Sequence, residues 1–112
     1  VLLCVLLYTL INKKELLSNS CVFIYILYML IGCNMIIYPG AFNMVTGPLH
    51  WDCLLRSRAI DNQVFVVGLS AASNKDLEYV AYANSIAVDP WGKTIAKADH
   101  DEKVMVVDVG KF

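Results

Sequence analysis

Between Glu15 and Asp52 the chain carries no Asp, Glu, Lys or Arg, whereas the stretch from Asp52 to Lys111 holds nearly all of its charge. An uncharged stretch of that length has to be covered by lipid or by other protein layers, because apolar surface left in water costs about 25 cal/mol per Å². Two apolar runs dominate it and the residues before it: Val1 to Ile11, and Cys21 to Tyr38. They are separated by Asn12-Lys13-Lys14-Glu15 and Ser18-Asn19-Ser20. Cys21 to Tyr38, broken only by Gly32 and Asn34, reaches the roughly 18-residue lower limit of a membrane-spanning helix. Val1 to Ile11 has the length of a signal-peptide core but lacks a basic segment ahead of it and a small-x-small cleavage site, so it reads as no signal peptide.

With 112 residues there is room for one small domain or a piece of a larger one. Nine Lys and Arg against ten Asp and Glu give a net charge of -1, which offers no electrostatic footprint for nucleic acid. At 58% hydrophobic the chain exceeds the roughly 45–50% of ordinary soluble domains. Disorder is thereby excluded, and either a membrane or burial inside a larger assembly is implied. Cys4, Cys21, Cys33 and Cys53 form no Cys-x-x-Cys pair, and His50 and His100 have no partner at ligand spacing. No metal and no cofactor is expected, and the cysteines read as small hydrophobes in a reducing compartment.

From Met35 onward the pattern is that of an α/β unit. Met35-Ile36-Ile37-Tyr38 is a short buried strand stopped by Pro39-Gly40. Pro48 suits the first turn of a helix, on which Trp51, Leu54 and Leu55 form one apolar stripe, with Arg58 intruding on the same side. The helix ends at Asn62-Gln63, and the β-branched run Val64 to Leu69 is a strand buried on both faces. Ser70 to Glu78 is a loop. Tyr79 to Tyr82 and Ser85 to Val88 are strand-like, and Asp89-Pro90-Trp91-Gly92 is a turn into the partner strand Thr94 to Ala98. A second turn from Asp99 to Lys103 leads to Val104–Val109, completing an expected meander of three antiparallel strands. These strands are too few to close a core without further layers.

Three longer words are more telling: Tyr38-Pro39-Gly40-Ala41-Phe42-Asn43, Thr46-Gly47-Pro48-Leu49-His50-Trp51, and Arg56-Ser57-Arg58-Ala59-Ile60-Asp61-Asn62-Gln63. With Ser85 and Val88-Asp89-Pro90-Trp91-Gly92, they closely resemble the C-terminal half of the carbon-nitrogen hydrolase (nitrilase) superfamily, and within it the omega-amidase branch. The likeness runs from about Leu27 to Val109. It implies an α/β fold, part of a four-layer α-β-β-α sandwich, with residues 25–112 as the C-terminal part of the hydrolase domain. Residues 1–24 are an apolar, helical segment of unassigned origin. It also implies a homodimer packed helix layer to helix layer and a small amide as substrate.

The family's chemistry uses Glu as general base, Lys to stabilise the tetrahedral intermediate and Cys as nucleophile. The Glu and Lys precede the stretch present here. Counting back from Tyr38 puts the nucleophile at Leu16, followed by Leu17-Ser18-Asn19-Ser20-Cys21 with no Arg or Glu of the family motif. No catalytic residue is therefore expected, and the chain as given should be inactive. For substrate binding the resemblance points to Phe42 as an apolar wall and Thr46 as a hydroxyl facing the substrate's carboxylate. The plainer alternatives are a core position for Phe42 and a helix cap for Thr46. Arg56, Arg58, Asp61 and Asn62 are read as structural pairs. Two words depart from the omega-amidase pattern: Ser70-Ala71-Ala72-Ser73 replaces Ser-Pro-Ala-Arg, and Ala83-Asn84-Ser85 replaces Gly-His-Ser. The resulting expectation is a truncated amidase of the cytoplasm or mitochondrion. Its rivals are a noncatalytic partner of a complete hydrolase and a small membrane-anchored protein, the latter if both apolar runs are genuine membrane segments.

Overall fold

A computed structural model describes the backbone of residues 3–5 and the whole of residues 32–110. Among the described residues there are five strands and one helix: β1 (Leu3–Val5), β2 (Met35–Pro39), α1 (Thr46–Asn62), β3 (Phe65–Leu69), β4 (Ile86–Val88) and β5 (Thr94–Lys97). They form one mixed sheet in the order β1-β2-β3-β4-β5. β1, β2 and β3 run parallel, and β3, β4 and β5 pair antiparallel.

The helical expectation for the first apolar run is corrected at Leu3–Val5, which pair in register with Met35–Ile37 as a strand. Residues 6–31 lie outside the described residues. The proposed membrane span Cys21 to Tyr38 is also broken, since its last four residues belong to β2 and are paired to β3. Among the described residues no helix is long and apolar enough to cross a membrane.

Strand register explains where the core sits. Ile36 pairs with Val66 and Val66 with Val88, so these β-branched side chains share one face across three strands. α1 covers that face with Gly47, Trp51, Leu55, Ala59 and Asn62, an i, i+4 stripe. Trp51, Ile36, Ile86, Val66 and Val88 are all fully buried. Leu54, expected in the stripe, is exposed instead. The sheet below α1 leaves room for Trp51 and Leu55 over Gly68, where an added Cβ would run into Leu55 Cδ1 and lie 2.9 Å from Trp51 Cζ2.

Both helix ends are chemically determined. Asn43 Oδ1 accepts hydrogen bonds from the backbone N–H of Val45 at 3.0 Å and of Thr46 at 2.8 Å, while its own carbonyl accepts from Gly47 N–H. Asn43 thus caps the helix, which begins two residues ahead of Pro48. At the other end Gln63 is left-handed at φ 54°. The N–H of Val64 reaches Ala59 O and that of Gln63 reaches Ile60 O, the Schellman arrangement, sealed by the buried pair Val64 and Ala59. An Asn43→Ala variant should lose about 1 kcal/mol of stability, read as a lower urea midpoint at unchanged slope.

The turn between β4 and β5 is tied to α1. Asp89 Oδ1 accepts from the N–H of Trp91 and of Lys93, and Arg56 Nε donates to Gly92 O at 2.7 Å. Arg56 therefore acts as the structural bolt foreseen for it, though its acceptor is a backbone carbonyl. Arg58 and Asp61 approach at 3.9 Å, and Asn62 donates to Arg58 O. The third strand of the expected meander is absent: Val104–Val109 pairs with no described strand, and Val104 and Val106 are 94% and 98% exposed. Tyr79 to Tyr82 is likewise not a strand, making only the isolated bridge Asn43–Ala81.

Candidate functional site

Parallel pairing brings the C-terminal ends of β2 and β3 together, and the two loops that leave them meet there. Loop 40–45 follows β2 and loop 70–85 follows β3. Tyr82 N–H donates to Phe42 O at 2.8 Å, Tyr79 Oη donates to Ala41 O at 2.9 Å, and Gly40 N–H donates to Leu69 O. Ends of parallel strands are where α/β sheets commonly place ligands, because the backbone there is free to diverge into loops.

Trp51 joins both loops from below. Its indole packs on Phe42 with ring centroids 5.3 Å apart and on Tyr38 at 6.3 Å, and its Nε1–H donates to Asn84 O at 2.8 Å. That carbonyl belongs to two successive left-handed residues, Ala83 at φ 60° and Asn84 at φ 59°. Left-handed backbone costs roughly 1 kcal/mol at an alanine, so the turn is held by its bonds: Asn84 Nδ2 to Tyr82 O and Asn84 N–H to Asp99 O. The omega-amidase pattern has Gly where this chain has Ala83, which is the residue type such a φ favours.

Behind the turn lies a cavity of about 240 Å³. Ser70, Asn84 and Ser85 form its polar wall, and Asp99, Glu102 and Lys103 stand at its rim. The Ser85 hydroxyl is satisfied by the Ser70 backbone, accepting from Ser70 N–H at 2.9 Å and donating to Ser70 O at 3.2 Å, while the Ser70 hydroxyl donates to Ala71 O at 3.3 Å. Lys103 Nζ sits 2.6 Å from Asp99 Oδ2. The Lys103 hydrogen bond, helped by the Asp101 backbone N–H, holds the Asp99 carboxyl below its ordinary value. A lowered folded-state pKa stabilises above the unfolded value and is lost as pH falls through the folded one. An Asp99→Asn variant should therefore have a lower urea midpoint than the parent at neutral pH, with the gap closing as pH falls below the ordinary carboxylate range.

Thr46 and Phe42 lie on the first loop and its junction with α1, and neither lines this cavity. Phe42 is half-buried against Trp51, at the edge of the core. Thr46 Oγ1 lies 3.0 Å from Asn43 Oδ1. Since two backbone N–H groups fix that atom as the carboxamide oxygen, the Thr46 hydroxyl must be the donor. The plain reading of Thr46 as the cap is thus replaced: Asn43 caps, and Thr46 supports it. Spacing did hold this signal, because Asn three residues ahead of Thr, just before an apolar helix, is an N-terminal pattern.

The described residues gather no catalytic set. Cys33 is buried with its thiol on Met35 O at 2.8 Å, and Cys53 is exposed on α1. Lys97 is paired with Asp52 at 2.6 Å, and no described group of three His, Cys, Asp or Glu could hold a metal ion. What the arrangement supplies is a shaped wall with hydroxyls and an apolar ring.

Known proteins resemble this chain in sequence and in fold. The chain is 51% identical over 83 residues to omega-amidase NIT2 of Xenopus tropicalis, covering 74% of this chain and 30% of that protein. It is 49% identical over 78 residues to the human omega-amidase NIT2, covering 70% and 28%. The crystal structure of Saccharomyces cerevisiae Nit3, a member of branch 10 of the nitrilase superfamily, superposes with a TM-score of 0.69 at 52% identity, over 70% of this chain and 29% of that one. The Caenorhabditis elegans NitFhit protein does so with a TM-score of 0.64 at 34% identity, over 68% and 18%. The chain thus spans less than a third of the length of these relatives. The carbon-nitrogen hydrolase family model matches residues 23–110, which takes in β2 to β5, α1 and both loops, and the chain belongs to that family.

Proposed function

We propose that this chain forms the substrate-binding, non-reacting wall of an omega-amidase-like hydrolase, one that converts the terminal amide of small 2-oxo acids to acid and ammonia. The observation that carries this reading is the 51% identity to an omega-amidase over a stretch that is only 30% of that enzyme. Amide hydrolysis through a thioester needs a thiolate to attack, positive charge for the oxyanion and an activated water for release. Residues 32–110 bring no such trio together, so turnover would draw these groups from outside the described residues.

Phe42 packs on the substrate's carbon chain and Thr46 meets its carboxylate. For Thr46 to donate to a carboxylate it must release Asn43 Oδ1, which keeps two backbone donors when it does so. The exchange trades a neutral hydrogen bond for a charge-assisted one and favours the bound state. The complete protein acts as a homodimer in the cytoplasm or mitochondrion, binds no nucleic acid, and pairs through the outward side of α1, where Leu49 and Ile60 are exposed. A second reading, association of this chain with a complete hydrolase, is favoured by the exposed Val104–Val109 segment, which offers strand-forming residues with no described partner.

Ammonia release from a 2-oxo acid ω-amide tests this directly. The purified chain should give none above the uncatalysed rate. Produced together with a polypeptide carrying the family's Glu, Lys and Cys, it should restore hydrolysis, and Thr46→Val should then raise KM about tenfold with kcat little changed. Turnover by the chain alone would overturn the reading.

A further inference from the structure

We draw no further inference here: the strongest candidate, the cavity between the ends of β3 and β4 rimmed by Asp99, Asp101, Glu102 and Lys103, belongs to the site already described, and its polar wall of Ser70, Asn84 and Ser85 is internally hydrogen-bonded, leaving only an acidic cluster to name a ligand.

Discussion

Trp51→Ala should remove about 4 kcal/mol from the unfolding free energy, a large share of the roughly 5–15 kcal/mol of an ordinary domain, read as a much lower urea midpoint. Trp51 is 1% exposed and is the largest fully buried side chain among the described residues, standing over Ile36 and Val66 and against Phe42. Truncation loses its burial and leaves a cavity that the sheet cannot collapse to fill. It also strips the Asn84 carbonyl of its indole donor, an orphaned acceptor that itself costs about 1–3 kcal/mol. Trp51→Phe separates the two contributions, because it keeps most of the ring volume and loses the N–H. The phenylalanine variant should unfold cooperatively with a midpoint between those of the parent and a Trp51→Ala protein. Retention of a parent-like midpoint by Trp51→Ala would show that α1 is not the lid of this core.

Gly47→Ala should cost about 3 kcal/mol, the upper part of the range for overpacking. A Cβ at position 47 would collide with Cβ, Cγ and Cδ1 of Tyr82. Those atoms sit near the backbone of loop 70–85 and cannot swing aside as the end of a flexible side chain would. The loop must therefore move, dragging Tyr82 N–H off Phe42 O and disturbing the joint between the two loops. Adding Tyr82→Ala to Gly47→Ala should recover part of the loss, because it removes the ring and Cγ but leaves the Cβ contact. A double-mutant cycle on urea midpoints would measure the coupling, and additive effects would contradict the packing described.

Much of the fold is legible in the residues. β3 and β4 lie inside the apolar runs that announce them, β2 continues one residue past its run to Pro39, and Asp89-Pro90-Trp91-Gly92 marks its turn correctly. The misses have physical causes. Leu54 is as apolar as Leu55, but the helix phase was decided by which side finds a hollow, and that hollow is Gly68 on a strand far away in sequence. Val104–Val109 has the composition of a strand, yet composition supplies only half a ladder, and the described sheet offers no second half. The left-handed turn at Ala83 and Asn84 is invisible locally because neither is glycine; it exists through bonds to Trp51 and Asp99. Phe42 and Thr46 could be placed at the site only through the resemblance to a family. Asn43 stands where an Asn ahead of a helix signals a cap, but its hold on Thr46 is seen only in the hydrogen bonds.

The Val104–Val109 stretch, exposed at Val104 and Val106 and half-buried at Val107 and Val109, bears on how such a polypeptide associates. A β-branched run exposed at 94% and 98% for two of its valines is a template for stacking with identical copies. Its single charge, Asp108, is a weak gatekeeper against that outcome. Pairing of this stretch with another strand would remove that template, and lowering the chain concentration should slow any self-association through it.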